Sequence, residues 1–176
     1  MNENKDKYPP IWSSAAIQYV ESILSLNMRA YEWGAGYSTI WLSRRVQIIY
    51  SMEHNLYWFG KINEIIETEN IQNIVMLYHG LTEVMYLKHI QFLFESDKKE
   101  SGKFFDFVSI NGRDRVRCAS QGVNVLRKGG ILMVDDSERE HYRAIFSLKE
   151  IKLDKVIIEK KPNRKIWRET SFFVKL

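Results

Sequence analysis

Residues 30–39 decide the fold class; they read Ala30-Tyr31-Glu32-Trp33-Gly34-Ala35-Gly36-Tyr37-Ser38-Thr39. The apolar run at the start predicts a buried strand, and the two glycines allow a sharp turn that can approach a ligand closely. We expect a helix to begin at Ser38 or Thr39, where unpaired N–H groups suit a carboxylate or phosphate. A strand, a glycine turn and a helix in this order are typical of sites for nucleoside-containing cofactors, although a tight connection alone can also use two glycines.

Three further motifs follow in order along the chain. Residues 48–55 form an apolar run that ends in an acid, Glu53, about twenty residues beyond the glycines. Residues 105–113 read Phe-Asp-Phe-Val-Ser-Ile-Asn-Gly-Arg, and residues 126–136 read Leu-Arg-Lys-Gly-Gly-Ile-Leu-Met-Val-Asp-Asp. With the glycine turn, they cover most of residues 28–136. In this combination the chain resembles the class I S-adenosylmethionine-dependent methyltransferases, whose first motif is an acid followed by alternating glycines.

The resemblance implies a Rossmann-like, doubly wound α/β fold with a mostly parallel seven-stranded sheet and a C-terminal antiparallel strand pair. Alternating strand and helix signals agree with it. Strands are predicted at residues 29–33, 46–52, 74–78, 105–110, 131–134, 155–159 and 171–175. Helices are predicted after Ser13-Ser14 and at residues 38–45, 56–69, 81–96, 116–126 and 140–151, and residues 160–165 are predicted to form a basic turn.

The cofactor implied by the resemblance is S-adenosylmethionine, and its expected contacts follow the motifs. Glu32 and the backbone of the glycine turn would hold the methionine end, and Glu53 would accept both ribose hydroxyls. His54 would lie against the adenine or, equally, be an exposed loop histidine. An acid that the family often has after the third strand is missing, so the adenine contact stays open among Glu83 and the pair His79-Gly80. The full set of expected cofactor-binding residues is Glu32, Gly34, Ala35, Gly36, Ser38, Thr39, Glu53, His54, His79, Gly80, Asn111 and Gly112.

The catalytic candidates are Asn111, Asp136 and His141. Asn111 stands at the end of the fourth strand, where close relatives of the pattern tend to have an acid, and it can orient an acceptor but has no basicity. Any deprotonation would fall to Asp114, Asp136 or His141. In the alternative interpretation Asp136, with Ser137, caps the next helix. Arg113 would bind an acidic substrate group or form a structural ion pair.

A metal site is an alternative that the sequence disfavours. Asp135, Asp136 and Asn111 could offer three oxygens to magnesium, as in the catechol-type enzymes. One acid of that arrangement is replaced by Asn111, and successive side chains near a strand end diverge. The prediction is therefore catalysis without a divalent metal.

Two other functions remain open. A dinucleotide-dependent dehydrogenase would also place an acid beyond a glycine turn, but its pattern has glycine where this chain has Thr39. A non-catalytic module that binds S-adenosylmethionine is kept open by Asn111. The motif that serves amino groups of nucleobases is missing, so the expected acceptor is a small molecule.

Length and composition predict a short mobile tail at residues 1–7 and one domain at residues 8–176, since 45% of the 176 residues are hydrophobic. No apolar run reaches a membrane-spanning length and no leader precedes the domain, so a cytoplasmic protein without a membrane partner is expected. The net charge of +4 permits nucleic-acid contact without requiring it. Cys118 is predicted to be a small buried side chain in a helix rather than a nucleophile. The oligomeric state stays open.

Overall fold

The computed structural model describes residues 7–80, 105–160 and 167–176, and it contains one seven-stranded sheet. The strand order is β3-β2-β1-β4-β5-β7-β6. The strands are β1 (Arg29–Trp33), β2 (Ile48–Glu53), β3 (Ile74–Tyr78), β4 (Phe105–Ile110), β5 (Leu126–Asp135), β6 (Ile151–Lys160) and β7 (Trp167–Lys175).

The first five strands are parallel, and β7 is antiparallel to both β5 and β6. The predicted fold class, including its C-terminal antiparallel pair, is therefore confirmed. The chain order reverses between β1 and β4, which is the point where open α/β sheets leave a crevice at the carboxyl ends of their strands. The glycine turn follows β1 at this crevice.

The described helices are α1 (Ser14–Ile23), α2 (Tyr37–Ser43), α3 (Leu56–Thr68), α4 (Arg115–Val125) and a 3-10 helix (Glu140–Ser147). As predicted, Ser13 caps α1 by accepting a hydrogen bond from the backbone N of Ala16. Asn55 caps α3 in the same way, through the backbone N–H groups of Tyr57 and Trp58. Among these helices, none is long and apolar enough to cross a membrane.

Apolar side chains bury both faces of the sheet, which is what a doubly wound fold requires. One cluster packs α4 and the 3-10 helix against the sheet and includes Cys118, fully buried as predicted. Burial raises the pKa of its thiol, which opposes reactivity. The other cluster packs α1 and α2 on the opposite face, around Trp12, Trp41 and Phe172.

Several element boundaries differ from the prediction. The segment expected as an α-helix over residues 140–151 is a 3-10 helix of eight residues, because β6 begins at Ile151 to pair along the whole of β7. Strand β5 begins at Leu126, five residues earlier than expected, through a pairing with Phe105. Lys7, expected in the tail, forms an ion pair with Glu69 at 2.5 Å. The predicted helix at 81–96, with Glu83, and residues 161–165 of the basic turn lie outside the described residues.

Candidate functional site

The glycine turn between β1 and α2 is held against the ends of the neighbouring strands. Gly34 has a φ of +91° and donates its N–H to the carbonyl of Met52 on β2 at 2.9 Å. A Cβ at this position would lie 2.6 Å from the Cα of Gly112, after β4. Gly36 is different, since its φ is −172° and the atom nearest to an added Cβ would be the Ser38 Oγ at 3.9 Å. Gly34 is therefore required by the fold, whereas Gly36 leaves open space.

Glu32 lies beneath the turn and is completely buried. Its Oε1 accepts from the Ser38 hydroxyl at 2.6 Å, and its Oε2 accepts from Thr39 at 2.6 Å and Ser51 at 2.9 Å. Burial raises the pKa of Glu32, and these hydrogen bonds oppose that shift. Helix α2 begins at Tyr37, so the expected start at Ser38 or Thr39 was wrong: both hydroxyls bind Glu32.

Asn111 joins this buried network to the N-terminal segment. Its Nδ2 donates to Glu32 Oε1 and to Ser109 Oγ, both at 2.9 Å. Its Oδ1 accepts from the indole N–H of Trp12 at 3.3 Å. Carboxylate oxygens need donors and an indole N–H needs an acceptor, so the partners determine the orientation of the amide. The side chain predicted to orient an acceptor thus holds two parts of the protein together.

A cavity of about 870 Å³ opens at the carboxyl ends of β1, β2, β3 and β4. Glu53, the last residue of β2, lies in its wall, and the Oε1 of Glu53 accepts from the backbone N–H groups of His54 at 2.9 Å and Asn55 at 2.7 Å. The His54 ring also contacts this oxygen, at 3.0 Å. All the contacts of the Glu53 carboxylate found among the described residues thus go to one oxygen. The predicted site residues in the wall are Gly34, Ala35, Glu53, His54, Gly80, Asn111 and Gly112.

The two histidines after β2 and β3 differ in their relation to this cavity. His54 lines it beside Glu53. His79 donates its backbone N–H to the carbonyl of Glu53 at 3.1 Å, and its ring is not among the lining groups. Partial burial lowers the pKa of His79. Gly80, the next residue, is the part of this pair that lines the cavity.

A second, smaller cavity of about 280 Å³ lies beside the first and shares part of its wall with it. Its other wall comes from the N-terminal segment and from the ends of β5 and β7. The lining includes the predicted residues Gly36, Ser38 and Asp136, and it adds residues that the sequence did not single out, namely Ile11, Trp12, Tyr37, Trp58, Arg139 and Arg168.

Asp136, at the end of β5, is surrounded by arginines. Its Oδ2 lies 3.0 Å from Arg139 and 3.9 Å from Arg115, and its Oδ1 lies 3.9 Å from Arg168. The alternative interpretation of Asp136 as a helix cap is wrong, because the 3-10 helix follows Arg139 and has no side-chain cap. The Asp136 carboxylate is therefore paired with guanidinium groups, and it is not placed as a free base.

Arg115 is a site residue that sequence reasoning missed. Its buried guanidinium donates to the carbonyls of Asn111 at 2.8 Å and Gly112 at 3.0 Å, and also to the carbonyl of Asp135. One side chain therefore fixes the ends of β4 and β5 relative to each other. Arg113, proposed for an acidic substrate group, is exposed and lines the larger cavity. The sequence signal that could have identified Arg115 is its place in the first turn of the helix, shortly after Asn111-Gly112.

His141 is not brought to the site. It lies exposed on the 3-10 helix, and its ring packs against Tyr142 at a centroid distance of 4.1 Å. Tyr142 and Arg139 line the larger cavity from this segment instead. The helical spacing assumed for residues 140–151 was wrong here, which changes the direction in which each side chain points.

The two aspartates that were considered for magnesium have different hydrogen-bond and ion-pair partners. Asp135 Oδ1 accepts from the Thr170 hydroxyl at 3.0 Å, whereas Asp136 faces the arginines. Within the described ranges, no group of three or more His, Cys, Asp or Glu side chains is placed to hold a metal ion.

Comparison with solved structures identifies the fold. The chain is similar to an O-methyltransferase from Bacillus cereus in complex with SAH (TM-score 0.70, 15% identity, covering 96% of this chain and 84% of that one). It is similar to the O-methyltransferase TomG from Streptomyces achromogenes in complex with SAM (TM-score 0.70, 14% identity, 95% and 82% covered). An rRNA methylase from Streptococcus thermophilus gives a TM-score of 0.65 at 13% identity, with 92% and 95% covered. No family model and no curated protein matches the sequence. The fold that the motifs predicted is thus the fold of these methyltransferases, whose acceptors differ.

Proposed function

We propose that this protein binds S-adenosylmethionine in the larger cavity and transfers its methyl group to an acceptor bound beside it. The observation that carries the proposal is the position of Glu53. Its carboxylate lines a cavity at the switch point of the sheet, opposite a glycine turn with an enforced close approach. A volume of about 870 Å³ lies within the range of small-molecule sites.

The contacts of Glu53 suit the ribose. Two backbone N–H groups hold Oε1 in place, so the carboxylate is oriented before a ligand arrives. Its Oε2 is then available to accept hydrogen bonds from ribose hydroxyls, and charge-assisted hydrogen bonds of this kind are among the stronger ones. Gly80 would border the adenine, and the backbone of the glycine turn would border the methionine end.

Glu32 supports the site from below in this proposal. All its hydrogen bonds go to protein donors, so it fixes the turn instead of meeting the ligand. Its place in the proposed cofactor site is therefore structural. The same holds for Ser38 and Thr39, whose hydroxyls are bound to Glu32.

The bound cofactor would supply a methyl group on a positively charged sulfur. Because that methyl carbon would already be electrophilic, the acceptor lone pair would only need to be aimed at it, and the acceptor would release its proton to solvent. The protein would contribute mainly by holding donor and acceptor in line and by excluding water. The wall shared by the two cavities, at Gly34, Ala35 and Asn111, is where the two ligands would meet.

None of the three catalytic candidates stands at this junction as a free base. The amide of Asn111 is bound at both ends, Asp136 is paired with arginines, and His141 is exposed elsewhere. We infer that the acceptor needs no strong base. The same observation favours the second candidate function, a module that binds S-adenosylmethionine without catalysis.

Glu53→Gln tests the cofactor site with the smallest change of shape. Glutamine keeps one oxygen for the backbone N–H groups of His54 and Asn55, but it places an NH₂ where the ribose acceptor would be. We expect binding of S-adenosylhomocysteine to weaken by about 1.5–3 kcal/mol in calorimetric titration. Glu21→Gln, on the exposed side of α1, is the matched control. An affinity within a factor of two of the wild-type value would show that the ribose assignment is wrong, and binding of NAD in its place would favour a dehydrogenase.

We also expect catalysis without a divalent metal. Asp135 and Asp136 point to different partners, and a magnesium ion beside Asp136 would be repelled by the guanidinium groups around it. Methyl transfer to an identified acceptor is expected to survive EDTA unchanged. Loss of activity in EDTA, with recovery on addition of magnesium, would support a catechol-type site instead.

A further inference from the structure

We propose that the smaller cavity is the acceptor site and that it takes a flat aromatic acceptor carrying an anionic group. The inference rests on the proposed function, because it assigns the larger cavity to the cofactor. It is carried by the pairing of aromatic walls with guanidinium groups in one small volume.

The aromatic side of the cavity is formed by Trp12, Tyr37 and Trp58. Trp12 is 2% exposed and is fixed by its hydrogen bond to Asn111 and by edge packing on Trp41 at 5.8 Å. Tyr37 and Trp58 are half-buried and pack edge to face, with ring centroids 5.9 Å apart. Rigid rings of this kind offer stacking and edge contacts to a planar ligand.

The same lining also carries charged side chains. Arg139 lines both cavities, and 40% of its side chain is exposed. Among the described residues, its polar contact is a single one, from Nη2 to Asp136 at 3.0 Å, although a guanidinium has five N–H donors. Arg168 lies on the far side of Asp136 and donates Nη1 to Glu138 at 2.5 Å. Asp136 and Glu138 therefore orient two guanidinium groups without using all their donors.

Arg139 is the guanidinium that could bind an anion. The lining contains Arg115, Arg139 and Arg168 against Asp135 and Asp136, and Glu138, outside the lining, pairs with Arg168 at 2.5 Å. Arg115 is committed to backbone carbonyls, and Asp135 is bonded to Thr170. A carboxylate or phosphate on the acceptor could be bound by Arg139 from one side, in the two-bond geometry that guanidinium groups favour.

The volume favours a small acceptor over a polymer. About 280 Å³ is at the low end of small-molecule sites, which suits one ring system with its substituent. The shared wall at Gly34 and Asn111 would place the ring beside the cofactor cavity, with the anionic group toward Arg139.

The test compares matched probes on protein saturated with S-adenosylhomocysteine. The probes are 4-hydroxyphenylacetate, its neutral amide 4-hydroxyphenylacetamide, and phenyl phosphate, titrated by calorimetry. We expect either anion to bind about tenfold more tightly than the amide, and the more tightly bound anion identifies carboxylate or phosphate as the preferred group. Arg139→Gln is expected to remove the preference.

Arg143→Gln is the control, because Arg143 lies on the same 3-10 helix, faces Phe146 and lines neither cavity. It should keep the preference for anions. Arg168→Gln should reduce the preference while leaving the affinity for S-adenosylhomocysteine unchanged. Thermal unfolding of each variant shows whether it is folded.

Four results would overturn the inference. Equal binding of anions and amide would exclude an anion site, and so would a preference that survives both Arg139→Gln and Arg168→Gln. Loss of S-adenosylhomocysteine affinity in these variants would assign the arginines to the cofactor carboxylate. Binding of a single-stranded RNA oligonucleotide, with no binding of the three probes, would assign the cavity to a polymer. Wild-type protein that fails to bind S-adenosylhomocysteine would overturn the proposed function itself.

Discussion

Gly34→Ala is expected to unfold at a much lower denaturant concentration than the wild-type protein. The Cβ of alanine would lie against the backbone N of Gly112, 2.6 Å from its Cα and 2.9 Å from the carbonyl carbon of Asn111. These are backbone atoms at the end of β4, which cannot rotate away. The φ of +91° adds strain for any residue with a side chain. The strain costs about 1–3 kcal/mol and the overpacking about 1–3 kcal/mol.

Gly36→Ala is the matched control for this result. Its backbone is extended, and its added Cβ meets nothing closer than the Ser38 Oγ at 3.9 Å. We expect a cost of about 1 kcal/mol at most, from a less favourable residue before a helix. Equal free energies of unfolding for the two variants would contradict the close approach of Gly34 to Gly112. A larger side chain, Gly36→Val, should fold and block the smaller cavity.

Asn111→Asp is expected to destabilise the protein by about 3 kcal/mol or more at pH 8. The substitution replaces an amide donor 2.9 Å from Glu32 with a second buried carboxylate. Ionising both of two carboxylates this close costs free energy. Burial already raises the pKa of Glu32, and the second carboxylate raises the pKa of the pair further. A carboxyl whose folded pKa is raised stabilises the protein below its unfolded pKa and loses that contribution as pH rises through the folded value.

The measurement is the free energy of unfolding in urea at several pH values between 4 and 8. Stability of Asn111→Asp relative to wild type should fall steadily across this window. Asn111→Leu removes the same hydrogen bonds without adding a charge, so its loss should vary less with pH than that of Asn111→Asp. Parallel curves for the two variants would show that Glu32 and residue 111 do not interact as described.

Much of the fold could be predicted from the sequence because it depends on local patterns. Buried parallel strands appear as apolar runs, and β1, β3 and β4 were predicted with the bounds they have in the structure. Serine and asparagine caps mark helix starts through local hydrogen bonds, as at Ser13. The 3-10 helix was not predicted, because its end is set by β6, which begins at Ile151 and pairs with β7, and residues 140–147 do not encode that pairing.

The candidate site also has a part that the sequence predicts and a part that depends on tertiary structure. Sequence alone determined the glycine turn and the acid that ends β2, because both lie at a strand end and the strand ends of a parallel sheet meet at one edge. The roles of individual side chains were decided by tertiary structure. Asn111 is held between Glu32 and Trp12, residues 79 and 99 positions away, and Asp136 is bordered by Arg168 from a strand that returns antiparallel. Such partners are set by strand order and register, which bring distant residues together, and no spacing within one motif encodes them.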